Sequence, residues 1–427
     1  MEIIKNPDRR NWNSILERPT ETIANIEAIV NEVLNDVRVN GDVAIKKYTA
    51  KFDGVELESN IVTQEEFKNA ENLVPEKLQK AIKAAKENIE AFHAAQKTPR
   101  VEVETAKGVS CWQEKRAIQK VGLYIPGGTA PLFSSVLMLV IPAQIAGCKE
   151  IVLCSPPNKQ GELSPEILFA AQLCGVTKFV KVGGIQAIAG LTFGTETIPQ
   201  VYKILGPGNQ YVTVAKQLAT KHGVAIDMPA GPSELLVVAD ETANASYIAS
   251  DLLSQAEHGT DSQVILVSTS ESMINSVSDE IESQLAVLPR KAIAEKAIKN
   301  SKLIYVENDD LALEMINEYG PEHFIVCTKN EDFYVDGVFN AGSVFVGDYT
   351  PESAGDYASG TNHTLPTNGF TKAYSGINLD SFLKNMTFQK ISKEGLLNIG
   401  ETIELMAEAE GLQAHKNAVS IRLKDLK

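Results

Sequence analysis

Between residues 21 and 38 apolar side chains return at helical spacing. Ile23, Ile26, Ile29, Val30, Val33, Leu34 and Val37 fall on one stripe and Gly41 follows as a stop, which predicts an amphipathic helix. Leu78, Ile82, Ala85, Ile89 and Phe92 repeat the spacing and predict another. From about residue 119 the texture changes to short β runs, each followed by a Gly/Pro turn and a helix: "KVGLYIPGG", "EIVLCSPP", "KFVKVGG" and "VYKILGPGN". A second series follows: "ELLVVAD", "SQVILVSTS", "KLIYVEN", "HFIVCT" and "GSVFVGD". Alternation of this kind builds βα units around a parallel sheet.

Two such series predict an α/β protein with two Rossmann-like βα domains. Residues 1–21 read as an amino-terminal arm. Residues 22–123 and 233–376 read as a discontinuous first α/β domain, with 124–232 as the second. From about 377 the strand signal stops and two helical stretches, split by Gly411, form a helical tail over 377–427. Such a tail packs on a partner subunit or on its own chain.

Bulk properties narrow the field. The 427 residues are enough for more than one domain. A net charge of -15 and no Lys/Arg run argue against nucleic acid as a partner. The longest apolar run, "SSVLMLVIPAQIAG", is too short and interrupted to span a bilayer. The amino terminus lacks the apolar segment of a secretory signal, so a cytoplasmic location is expected. The 5 cysteines are scattered without CxxC spacing, which suggests neither a disulfide framework nor a thiolate metal site.

The glycine-rich turns carry an incomplete nucleotide-binding fingerprint. "GPGNQY" follows a predicted strand, but Tyr211 occupies the third glycine position of GxGxxG. "YIPGG", starting at Tyr124, could also bring backbone close to a ligand. Both are equally readable as tight βα turns.

Of the 6 histidines, His93 beside Phe92 reads as surface or rim, and His222 as a helix end. His258 ends a helix before Gly259, with Gln255 one turn earlier on the same face. Such a pair can place two ligands on one ion, or be a helix end whose imidazolium favours the dipole. "YGPEHFIV" puts Glu322 and His323 directly before a strand, which suits acid/base work or a capping pair. On an extended chain the two would point to opposite sides. "GDYTPESAGDYASGTNHTLP" (347–366) is long, irregular and rich in small residues; it holds Asp348, Glu352, Asp356 and His363. Such a loop inside a domain is functional or disordered, and its aromatic and proline content argues against disorder. His415 follows Glu410 in the last helical stretch.

"GPGNQYVTVAK", "IDMPAGPSELLVVAD", "DLLSQAEHGTDSQVILV", "YGPEHF", "GSVFVGDYTPESAGDYASGTNHTLPT" and "AHKNAVSIR" together closely resemble the histidinol dehydrogenase family, in the right order over essentially the whole chain. The resemblance implies oxidation of L-histidinol through L-histidinaldehyde to L-histidine with two NAD, the last two steps of histidine biosynthesis. It implies one zinc per subunit, held by Gln255, His258, Asp356 and His415, with His415 supplied by the neighbouring subunit of a homodimer. It implies Glu322 and His323 as the acid/base pair: His323 takes the alcohol proton and Glu322 activates water. Ser233, Glu410 and His363 would contact the substrate, with Gln255, His258, His323, Asp356 and His415 close by. Tyr124, Gln186 and Asn209 would contact NAD.

A zinc hydrolase on the same scaffold is the alternative: it would keep the four ligands, with Glu322 as base for metal-bound water and no nicotinamide. A metabolite-binding protein without turnover is a further one.

Overall fold

The computed structural model describes residues 1–19, 23–127, 130–229 and 231–426. Glu21, the expected start of the first helical stripe, and Gly128 of the "YIPGG" turn lie outside the described residues. The chain divides into two units, Met1–Gln96 with Gln119–Phe382, and Lys97–Ile118 with Leu383–Lys427.

The first unit holds two parallel sheets, as the alternating βα pattern requires. The larger runs in the order Glu2–Lys5, Lys302–Tyr305, Gln263–Ser268, Glu234–Ala239, His323–Cys327, Ser343–Val346, with every neighbouring pair parallel. The central strand Glu234–Ala239 is buried along its whole length, the reason it reads as an unbroken apolar run. Leu235 and Val237 enter one core and Leu236 and Val238 the other, because successive side chains leave opposite faces. The smaller sheet runs Lys178–Lys181, Glu150–Ser155, Lys120–Tyr124, Lys203–Leu205, Ala225–Ile226, also parallel throughout.

Three departures from the sequence reading have physical causes. The amino-terminal arm is partly a strand: Glu2–Lys5 closes one edge of the larger sheet. The helical stripe of Ile26, Val30, Val33, Leu34 and Val37 shares a core with Val152, Val180 and Ile188, so this helix covers the smaller sheet rather than the larger one. A stripe shows that a helix has a buried face and not which sheet it faces. Helical structure also resumes beyond Gly41, whose φ of 50° and ψ of -130° break the run Ile23–Tyr48 into two.

The second unit holds a fourth departure. The tail is not wholly helical, because Leu383–Ile391 pairs antiparallel with Val109–Ala117, which pairs with Val101–Ala106. Val101–Ala106 and Leu383–Ile391 are largely exposed and Val109–Ala117 is half-buried, and none has the apolar run of the parallel strands. Helices Lys393–Ala409 and Gln413–Lys424 complete the unit as expected.

Candidate active site

Two cavities adjoin in the first unit, one of about 800 Å³ and one of about 530 Å³; Pro126, Asn209 and Tyr211 line both. Both volumes are of ligand size. The larger lies off the carboxyl ends of the smaller sheet, where Tyr124 and Ser155 close their strands and Gly184 opens a helix. That is where open α/β sheets bind ligands.

Tyr124 and Asn209 both line this larger cavity. Tyr124 is buried, and its hydroxyl accepts a hydrogen bond from Gly184 N at 3.0 Å. Asn209 caps the helix Gln210–Ala219, its Oδ1 accepting from Val212 N at 3.1 Å. Gln186 is not on the wall. It is fully buried behind it, and its Nε2 donates to Asp53 Oδ2 at 3.1 Å while its Oε1 has no partner. Asp53 does reach the wall. Burial pushes its carboxyl up from 3.8 to about 6, against the bond from Gln186. Sequence reasoning missed Asp53, since it comes from a π-helical turn, Thr49–Asp53, with no motif around it.

The "GPGN" turn needs its first glycine. Gly206 has a φ of 128°, and a Cβ there would stand 2.2 Å from the Tyr124 carbonyl oxygen. The turn is held by a buried ion pair absent from the sequence reading. Lys216 Nζ lies 2.5 Å from Asp227 Oδ1 and donates to Gly206 O at 2.8 Å, while Asp227 Oδ2 accepts from Gly206 N at 2.7 Å.

The smaller cavity brings together Ser233, Gln255, His258, Glu322, His323, Asp356 and His363. Gln255 ends the helix Ala245–Ala256, and His258 follows through a tight turn, its N donating to Gln255 O at 3.2 Å. Glu322 and His323 do not diverge as the extended-chain rule predicts. Only His323 is in the strand; Glu322 precedes it in the Gly320–Pro321 turn, and Glu322 Oε2 comes within 3.6 Å of His323 Nδ1. Glu322 Oε2 accepts from Glu234 N at 2.9 Å. His323 Nδ1 lies 3.2 Å from Glu234 O. A proton on Nδ1 satisfies that contact and leaves Nε2 bare, and Nε2 is buried without a partner. Burial lowers the His323 imidazole to about 4 and raises Glu322 well above the carboxylate range, so burial favours the neutral form of each.

The 347–366 stretch is less irregular than its composition implies. Glu352–Tyr357 is a short helix that places Glu352 and Asp356 one turn apart. His363 is fixed between Asp356 O, 2.9 Å from its Nδ1, and Ser135 Oγ, 3.1 Å from its Nε2. His93 is not a surface residue: it is fully buried, with Nδ1 2.8 Å from Ile89 O and Nε2 3.3 Å from Asn362 Nδ2. Phe92, its neighbour, points outward instead, because His93 and not Phe92 shares the buried helical stripe of Ile82 and Ile89.

His258, Glu352 and Asp356 each offer a ligand atom, all within 4.8 Å of one another. Gln255 Oε1 and Glu352 Oε1 are buried without partners. Nitrogen and oxygen donors without thiolate fit a divalent cation at a site that exchanges substrate. Glu352 was noted in sequence without a role; its spacing of four from Asp356 was the available signal. Glu410 and His415 belong to the second unit, at the end of Lys393–Ala409 and on Gln413–Lys424, and both are exposed; the lining of the smaller cavity comes from the first unit.

The family profile described as histidinol dehydrogenase matches residues 16–423. The chain belongs to the histidinol dehydrogenase family. It is 58% identical to a histidinol dehydrogenase of Bacteroides fragilis over 427 residues, covering 100% of both chains. It is 51% identical to that of Escherichia coli, covering 97% of this chain and 98% of the relative. The crystal structure of histidinol dehydrogenase from Elizabethkingia anophelis superposes with a TM-score of 0.97 at 52% identity, covering 100% of this chain and 98% of that one. The chain is therefore an oxidoreductase of histidine biosynthesis, as the long motifs implied, on the α/β fold expected of it. Among the described residues no helix is long and apolar enough to cross a membrane.

Proposed function

We propose that the paired cavities oxidise L-histidinol through L-histidinaldehyde to L-histidine, with two NAD reduced in turn and one zinc ion in the smaller cavity. The observation that carries this reading is the convergence of Glu322 and His323 with Gln255, His258 and Asp356 on one wall, beside a second cavity that shares Asn209 and Tyr211 with it. Gln255, His258 and Asp356 would hold the zinc from this chain, with His415 from the neighbouring subunit of a homodimer; Glu352 stands close enough to serve in the same shell. When bound, zinc would hold the imidazole and amine of the substrate and, as the largest local charge, favour the ionised form of Glu322.

His323 presents its bare Nε2 as the base that would take the proton from the alcohol oxygen; nicotinamide held in the larger cavity would supply the acceptor for hydride from the carbon that bears that oxygen. Glu322 would then draw a proton from the water that adds to the aldehyde carbon, while His323 returns its proton to the aldehyde oxygen, giving the hydrate. His323, neutral again, would take a hydroxyl proton of that hydrate, with a second NAD supplying the hydride acceptor. Ser233, His363 and Glu410 would position the substrate, and Tyr124, Gln186 and Asn209 the nucleotide, Gln186 acting through Asp53.

Water rather than thiol chemistry in the second step has its own support. Burial pushes the thiols of Cys148, Cys154, Cys174 and Cys327 up to about 12, which withholds the nucleophilic thiolate. None of the 5 cysteines is among the residues lining either cavity. The test is NADH formation from L-histidinol. Appearance of NADH supports the reading; consumption of substrate without it would favour a hydrolase.

A further inference from the structure

The groups proposed for proton transfer are both fastened to the main chain of a single residue. Glu234 N donates to Glu322 Oε2 at 2.9 Å, and Glu234 O lies 3.2 Å from His323 Nδ1. The Glu234 side chain is 2% exposed and fully engaged. Its Oε1 accepts from Arg18 Nε at 2.5 Å and from Asn368 N at 2.6 Å, and its Oε2 from Arg18 Nη2 at 2.9 Å. It lines neither cavity.

Arg18 does more than neutralise that carboxylate. Its Nη2 also donates to Tyr319 O at 2.8 Å and Gly320 O at 3.4 Å, and its guanidinium carbon sits 4.0 Å from the centre of the Tyr319 ring. Tyr319 and Gly320 lead directly into Pro321, Glu322 and His323. The guanidinium fork therefore spans the starts of two neighbouring strands, which pair parallel with His323 opposite Leu235. One strand start carries the acid/base residues and the other carries the groups that orient them. Only a planar fork with several donors makes these bonds at once; a lysine ammonium cannot.

We infer that Arg18 and Glu234 form a positioning pair for the acid/base residues, an ion pair whose role is to fix the distance between Glu322, His323 and the substrate rather than to stabilise the fold or bind a ligand. A buried ion pair is poor at adding stability, because desolvation offsets its Coulomb attraction. Its geometry is nonetheless rigid, and misplacement of reacting groups by about 1 Å can cost about 10²-fold in rate. The inference rests on the proposed roles of Glu322 and His323.

The test compares the intact enzyme with Arg18→Lys, Glu234→Gln and Arg18→Ala, measuring single-turnover NADH formation from L-histidinol, KM for NAD, zinc content and thermal unfolding. The expected result is a fall in kcat of about 10²-fold in Arg18→Lys, with KM for NAD and zinc content within about twofold of the parent. Glu234→Gln keeps the backbone groups but weakens the fork, so it should fall less. Guanidinium ion at millimolar concentration should restore part of the activity of Arg18→Ala. The inference is overturned if Arg18→Lys turns over at the parent rate. It is equally overturned if lost activity only tracks lost zinc or lost folded protein and guanidinium restores none. A parent enzyme that yields no NADH from histidinol would instead remove the catalytic reading, and this inference with it.

Discussion

Lys216 Nζ lies 2.5 Å from Asp227 Oδ1, and the two buried side chains grip Gly206 from both sides, one at its carbonyl and one at its N–H. The turn they hold leads to Asn209, which lines both cavities. Lys216→Met removes one charge and leaves Asp227 buried and uncompensated. The expected loss of stability is about 3–5 kcal/mol, read from urea unfolding. KM for L-histidinol or for NAD should rise more than kcat falls, because Gly206, Pro207 and Gly208 line the smaller cavity and Asn209 lines both. A variant with native stability and native KM would show that the pair does not hold the turn.

The Asp53 carboxyl gives a pH dependence with a definite sign. Burial raises it from 3.8 to about 6, so the folded state binds this proton more tightly than the unfolded chain. The stabilisation from the protonated form is complete below 3.8 and is lost as pH rises through about 6. Asp53→Asn keeps a neutral group at every pH and offers an N–H to the unpartnered Oε1 of Gln186. The variant should melt above the parent at pH 7, with the advantage vanishing below about pH 4, the ordinary aspartate range. Melting curves that stay parallel across that window would contradict the burial argument.

His323→Ala should lower the first oxidation by about 10²–10⁴-fold, the usual worth of a positioned base, with zinc content unchanged. Glu322→Gln should impair oxidation of added L-histidinaldehyde more than that of L-histidinol. Separate rate measurements with the two substrates decide this, and equal losses in both steps would remove the division of labour.

Much of the fold was legible because parallel strands buried on both faces read as plain apolar runs. Glu234–Ala239 and Gln263–Ser268 are such cases. The strands Val101–Ala106 and Leu383–Ile391 stayed hidden because their exposed faces leave no such run. Individual histidines were legible only by context: His258 and His363 line the smaller cavity, whereas His93 was misread from its neighbour Phe92. Arg18, Asp53 and Glu234 carried no local signal, because each acts through a partner distant in sequence. Glu234, for instance, meets Arg18 across 216 positions.

His415 lies on an exposed helix of the second unit, and the proposed shared site makes it a ligand for the neighbouring subunit. His415→Asn should release zinc. Mixing it with Glu322→Gln enzyme under subunit exchange should restore oxidation of L-histidinaldehyde to a fraction of the hybrid dimers. Proven exchange without any recovery would count against a shared site.

The most direct measurement of the central claim is the NADH yield per L-histidinol, taken on the native enzyme, after metal stripping, and after zinc readdition. The account predicts two NADH per histidinol, none after stripping, and recovery with zinc. One NADH per histidinol with accumulating aldehyde, or an undiminished yield from zinc-free enzyme, would contradict it.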